Sequence, residues 1–142
     1  MTAPTYDPEN IFAKILRGEI PSEKLYEDEH SYAFMDIMPM GRGHCLVIPK
    51  TPSRNILDID AESLAHLMTT VQKLARAAKK AFGADGVLIQ SYNEPASGQT
   101  VFHTHVHVIP RFEGVPLKPH SGKPEDMGVI KANAEKIRAA LA

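Results

Sequence analysis

Tryptophan is absent from this chain of 142 residues, and Cys45 is its only cysteine. A single thiol cannot close an intrachain disulfide, nor can it build a cysteine-based zinc site. Set in the stretch GHCLVIPK, Cys45 reads as a small buried hydrophobe. No apolar run approaches the roughly 18 residues of a membrane span, so no membrane partner is expected. The opening MTAPTYDPEN has neither the basic nor the apolar character of a secretory signal, and the expectation is a cytoplasmic protein. An excess of charge is missing too. Lys and Arg total 16 against 17 for Asp and Glu, a balance that argues against a nucleic-acid footprint. No internal repeat or low-complexity segment is visible. What is present is an ordinary globular composition, 43% apolar and 23% charged. It suits a single domain over 1–142 with an adequate core.

The chain divides into alternating signals. In DPENIFAKILRGEIP, Asp7 is placed to cap a short helix, Pro8 fits its first position and Gly18 its end. Three strand candidates follow, EKLYED, SYAFMDI and GHCLVIPK, with DEHS and MPMGRG between them. The clearest helix runs from about Asp60 to Phe82, where Leu64, Leu67, Met68, Val71, Leu74, Ala75, Ala78 and Phe82 recur at helical steps and Gly83 follows. GVLIQSYN and TVFHTHVHVIPR read as two strands around the loop EPASGQ, and a last helix is expected around Met127 to Leu141. Strands neighbouring strands, with one long helix inserted, predict an α+β fold. Its sheet has five mainly antiparallel strands, flanked by a short N-terminal and a C-terminal helix.

The chain's most unusual feature is HTHVHVIPR. In a strand, His103, His105 and His107 share one face, while Thr104, Val106 and Val108 take the other, and Pro110 is expected to end the strand. Three readings compete. The row can be incidental, as is the expectation for the scattered His30, His66 and His120. It can hold a metal, with His44 as a further ligand, although nearby carboxylates are few, Glu94 before it and Glu113 after it. Or it can be nucleophilic, one neutral imidazole attacking while its neighbours donate to developing negative charge. A metal would consume the lone pair that the attack requires. The preceding SGQT fits the third reading. Gly98 allows close backbone approach, while Gln99 and Thr100 bring polar side chains near a turn whose N–H groups suit an anion.

GQTVFHTHVHVIPR resembles the signature of the histidine-triad (HIT) family, His-x-His-x-His followed by two apolar residues. Thr104 stands where the family usually has an apolar residue, but it faces away from the row. NIFAKILRGEIPSEKLYEDEHSYAFMDIMPMGRGHCLVIPK is similar to the N-terminal half of the same family, so the likeness spans about Asn10 to Arg111. The resemblance implies a five-stranded antiparallel sheet, a homodimer, a purine nucleotide substrate and no cofactor. It makes His105 the nucleophile of a nucleotidyl-histidine intermediate, with His103 and His107 orienting it and binding phosphate and His44 standing nearby. By the same likeness Asn93, Gln99 and Thr100, beside Gly98, belong to the loop that holds the phosphate and leaving group, with Gly98 assigned there by its backbone freedom alone. Phe12, Ile15, Phe34 and Ile37 fall at the base pocket, and Asp36 at the ribose hydroxyls. Asn10 and Ala13 occupy the positions where many bacterial relatives carry zinc-binding cysteines, which argues against a metal here. The transferase branch has glutamine at the third motif position, and His107 places this chain with the hydrolases. The implied activity is hydrolysis of purine nucleoside phosphoramidates. The alternatives are a dinucleoside polyphosphate hydrolase and, in another class, a nucleotide-binding or interaction protein whose catalysis is vestigial.

Overall fold

The computed structural model describes residues 6–119 and 123–142, and His120 lies outside them. The elements in chain order are α1 (Ile11–Leu16), β1 (Lys24–Glu27), β2 (Ser31–Met35), β3 (Cys45–Pro49), α2 (Ala61–Phe82), β4 (Gly86–Gln90), β5 (Val106–Arg111) and α3 (Met127–Leu141). The strands form one antiparallel sheet in the order β1-β2-β3-β5-β4. The expected α+β architecture is therefore present, and β5, last in sequence, lies inside the sheet.

Both faces of the sheet's centre are covered, and the pleat sorts the side chains between them. Ala33, Met35, Cys45, Val47, Val106 and Val108 pack with Leu67, Val71 and Leu74 of α2 and Ile130, Ala134 and Ile137 of α3. The opposite face carries Phe34, Leu46 and Ile48, covered by Phe12 and Ile15 of α1. This is why β3 is apolar at every position instead of alternating. Helix α2 begins where its signals place it, with the Asp60 carboxylate accepting from Ser63 N–H, and ends at Gly83 in the left-handed region at φ 58°.

Three expectations need correction. Asn10, not Asp7, caps α1, its side chain accepting from Ala13 N–H. Asp7 instead accepts from Glu9 N–H one turn earlier, so Pro8 precedes the helix. Pro110 does not end β5, which continues to Arg111 opposite Gly86. Arg111 takes Asp85 N–H on the β4 side. Pro110, one residue earlier, therefore turns its nitrogen toward the β3 side, beyond the last pair of that ladder, Cys45 with Val108. No hydrogen bond is lost there. Finally, the strand begins at Val106 rather than Thr100. The Pro49 carbonyl is taken by the His103 ring, and Thr104 N–H goes to the Ser53 carbonyl, so His103 and His105 are held by specific bonds instead of a ladder.

Candidate active site

The histidine segment enters the sheet centre between the ends of β3 and β4, and all three imidazoles are buried. Each has a defined hydrogen-bonding direction. The Nε2 of His103 lies 2.9 Å from the Pro49 carbonyl and its Nδ1 lies 2.6 Å from the Tyr6 hydroxyl. A carbonyl only accepts, so Nε2 carries the hydrogen and Nδ1 accepts from Tyr6. The Nδ1 of His105 is 2.7 Å from the His103 carbonyl and must donate, which places the lone pair of His105 on Nε2. The ring of Phe12 meets that imidazole edge-on at 4.8 Å between centroids.

His44 completes the cluster from the first residue before β3. Its Nδ1 accepts from Met40 N–H at 3.0 Å, so Nε2 carries the hydrogen and donates to Nδ1 of His107 at 2.9 Å. His107 in turn carries its hydrogen on Nε2, and its ring stands 5.2 Å from that of His105. Asp36 lies behind this pair. One carboxylate oxygen accepts from Met38 N–H, and the other is 3.5 Å from His44 Nε2.

Burial favours the neutral imidazole. Desolvation pushes His103 down to about 4, against a smaller opposing effect of the Pro49 carbonyl. Desolvation also lowers His105, opposed by its bond to the His103 carbonyl and by the Asp36 charge. A neutral His105 with its lone pair on Nε2 is the state a nucleophile requires.

Among the described residues, Asp36, His44 and His107 are the group able to hold a metal, with ligand atoms within 4.8 Å of one another. Their chemistry favours a proton instead. The His44 and His107 nitrogens share one hydrogen at 2.9 Å, and the other His44 nitrogen is taken by Met40, so a metal would have to break both arrangements. The positions of the missing cysteines have other work, Asn10 capping α1 and Ala13 packing in the interior.

The other expected site residues divide. Phe12, Ile15 and Phe34 gather in one cluster beside His105, whereas Ile37 is 42% exposed. In the loop, Gly98 and Thr100 are exposed, but Asn93 and Gln99 turn inward. Asn93 accepts from Ile56 N–H. The Gln99 amide donates to the Arg54 and Val101 carbonyls and accepts from Asn55 and from Glu94 N–H, which fills its hydrogen-bonding capacity. These two side chains hold the loop. Tyr6, Ser53, Arg54 and Asn55 carry no sequence signal for the site, because each meets it through contacts between residues distant in the chain. Glu94 was visible only as a nearby carboxylate.

Comparison with known proteins supplies the context. The HIT domain family matches residues 17–114. The chain is 41% identical to Protein hit of Bacillus subtilis over 133 residues, covering 89% of this chain and 92% of that one. It is 39% identical over 103 residues to the adenylylsulfatase HINT3 of Arabidopsis thaliana, covering 72% of this chain and 52% of that one. Among solved structures, a Hit-like protein involved in cell-cycle regulation from Bartonella henselae, crystallised with an unknown ligand, superposes with a TM-score of 0.92. It is 52% identical, over 96% of this chain and 99% of that one.

Proposed function

Because the chain belongs to the histidine-triad (HIT) family, a family of nucleotide-binding hydrolases, we propose that it cleaves purine nucleoside phosphoramidates through a covalent nucleotidyl intermediate on His105. The observation that carries this reading is the bond from His105 Nδ1 to the His103 carbonyl. It fixes the tautomer and aims the Nε2 lone pair outward from that bond. In the first step Nε2 attacks the α-phosphorus. A phosphorus–nitrogen bond to His105 forms, the bond to the leaving amine breaks with its electron pair, and the amine takes a proton from solvent. The Nε2–H of His107 donates to the phosphoryl oxygen as negative charge builds. Water then attacks the phosphorus, the bond to His105 breaks, one proton returns to solvent, and the nucleoside monophosphate departs.

Gly98 and Thr100 face the phosphate in this reading, Phe12, Ile15, Phe34 and Ile37 line the base site, and Asp36 accepts from the ribose while its other side steadies His44. No metal or cofactor takes part. Purified protein is expected to hold no stoichiometric zinc by elemental analysis and to keep its activity in a chelator. A dinucleoside polyphosphate is the second substrate class, since its cleavage uses the same attack with a different leaving group. A second copy of the chain is expected to pair at β4, an edge of the sheet that carries the 42% exposed Ile89.

The test is His105→Asn, which keeps hydrogen bonding but has no lone pair able to attack. The variant is expected to bind AMP with near-parental affinity while kcat for adenosine phosphoramidate falls by orders of magnitude. Wild-type protein quenched during turnover without acid is expected to carry an AMP adduct on His105. Near-parental kcat in the variant, or an adduct on another residue, would refute the assignment.

A further inference from the structure

Outside the triad the molecule concentrates an unusual set of interactions at Glu94. Its backbone sits at φ 77°, ψ 156°, and among the described residues no other non-glycine has positive φ. This conformation is essentially reserved for glycine, and holding another residue in it costs conformational energy. A chain retains such strain where surrounding bonds over-determine it. Here they do. The Glu94 carboxylate takes Nε and Nη2 of Arg54 at 2.8 and 3.0 Å, a bidentate pair, and Nδ2 of Asn55 at 2.6 Å. Its N–H donates to the Gln99 side chain, and its carbonyl accepts from Ser97 N–H and Gln99 N–H. The Arg54 guanidinium also stacks over Phe102 at 4.1 Å.

These contacts join three segments. The stretch Ser53–Asn55 holds the loop through Glu94 and Gln99, and holds Thr104 through the Ser53 carbonyl and hydroxyl. Thr104 is the residue before His105. The loop that presents Gly98 and Thr100 and the backbone that aims His105 are thus bound to one short bracket.

We propose that the Glu94–Arg54 pair is a latch that sets the position of the 93–100 loop relative to His105, making Glu94 a positioning residue for phosphoryl transfer. The catalytic part rests on His105 as nucleophile and on the loop as the phosphate cradle. The latch itself stands on the bonds just described. Its function is geometric, and a displacement of about 1 Å between attacking atom and phosphate can cost about a hundredfold in rate.

The experiment uses the full chain as wild type, Glu94→Ala, Glu94→Gln, Glu94→Gly, Arg54→Ala and the double variant Glu94→Ala/Arg54→Ala. It reads kcat and KM with adenosine phosphoramidate, Tm, and backbone amide exchange over 93–104 without substrate. Glu94→Ala and Arg54→Ala are expected to lower kcat by about tenfold to a hundredfold with KM within about threefold, and the double variant to be no slower than the slower single one. Glu94→Gln recovers several-fold. Glu94→Gly relieves the backbone strain and melts above Glu94→Ala, yet is equally slow. Amide exchange over 93–104 accelerates in every variant lacking the pair, while α2 is unaffected. Rates that simply track Tm, additive losses in the double variant, or unchanged exchange would overturn the latch. If wild type fails to turn over the substrate while exchange responds as expected, the substrate reading fails and the latch stands.

Discussion

At each imidazole of the site, a fixed partner chooses which nitrogen carries the hydrogen. The Pro49 carbonyl decides for His103, the His103 carbonyl for His105, and Met40 N–H for His44 and, through it, His107. The sequence displayed the histidines but not this ordering, since Pro49, Met40 and Tyr6 carry no motif and meet the row only in space. The ordering has a measurable pH signature. Folded His103 stays neutral down to about 4, against 6.5 for an exposed imidazole. Between those values the unfolded chain binds a proton that the folded one refuses. The stability is fully present above pH 6.5 and declines as pH falls, by about 3 kcal/mol at pH 4. Urea melts from pH 7.5 to 4 are expected to show this slope, and His103→Asn is expected to flatten it whatever its own stability. Tyr6→Phe removes a donor that favours the neutral ring, so NMR titration is expected to place His103 higher than in the parent.

Among the elements, the legible ones were those with a strong period and a strong stop. Helix α2 announces itself by its apolar steps, Asp60 and Gly83, and is found there. The start of β5 was not legible, because alternation continues through His103 while the ladder does not. Where a strand begins depends on what its neighbours offer, and at that level Ser53 and the Pro49 carbonyl take the bonds. Equally hidden was the tie between α2 and the site. Gly43, at φ 80°, precedes His44, and a Cβ there would come within 2.4 Å of the Phe82 ring at the last residue of α2. The end of the long helix therefore abuts the turn that delivers His44. Gly43→Ala combines positive φ with this collision and is expected to destabilise by at least about 2 kcal/mol. Chemical denaturation checks the loss. In the same variant His44 should be displaced, visible as altered imidazole shifts for both His44 and His107.

For the whole molecule, a sheet whose centre is covered on both faces leaves its edge strands as the open places for growth. Pairing at β4 predicts that Ile89→Glu elutes as a monomer where the parent elutes as a dimer, with the triad intact; a parent already monomeric would remove that expectation. None of the helices among the described residues is long and apolar enough to cross a membrane. The double coverage has one more consequence, which belongs to Cys45. Its sulfur is fully buried at the β3–β5 seam, 3.6 Å from the Val108 carbonyl, and burial drives the thiol far up from its ordinary value. A thiol-specific label can reach it only when α2 and α3 lift from this face of the sheet. The chain thus contains a single chemical clock, silent in the closed protein, whose ticking rate measures how often that helical layer opens. Where that opening belongs to global unfolding, a nucleotide bound at the triad should slow the clock as its concentration rises above its Kd.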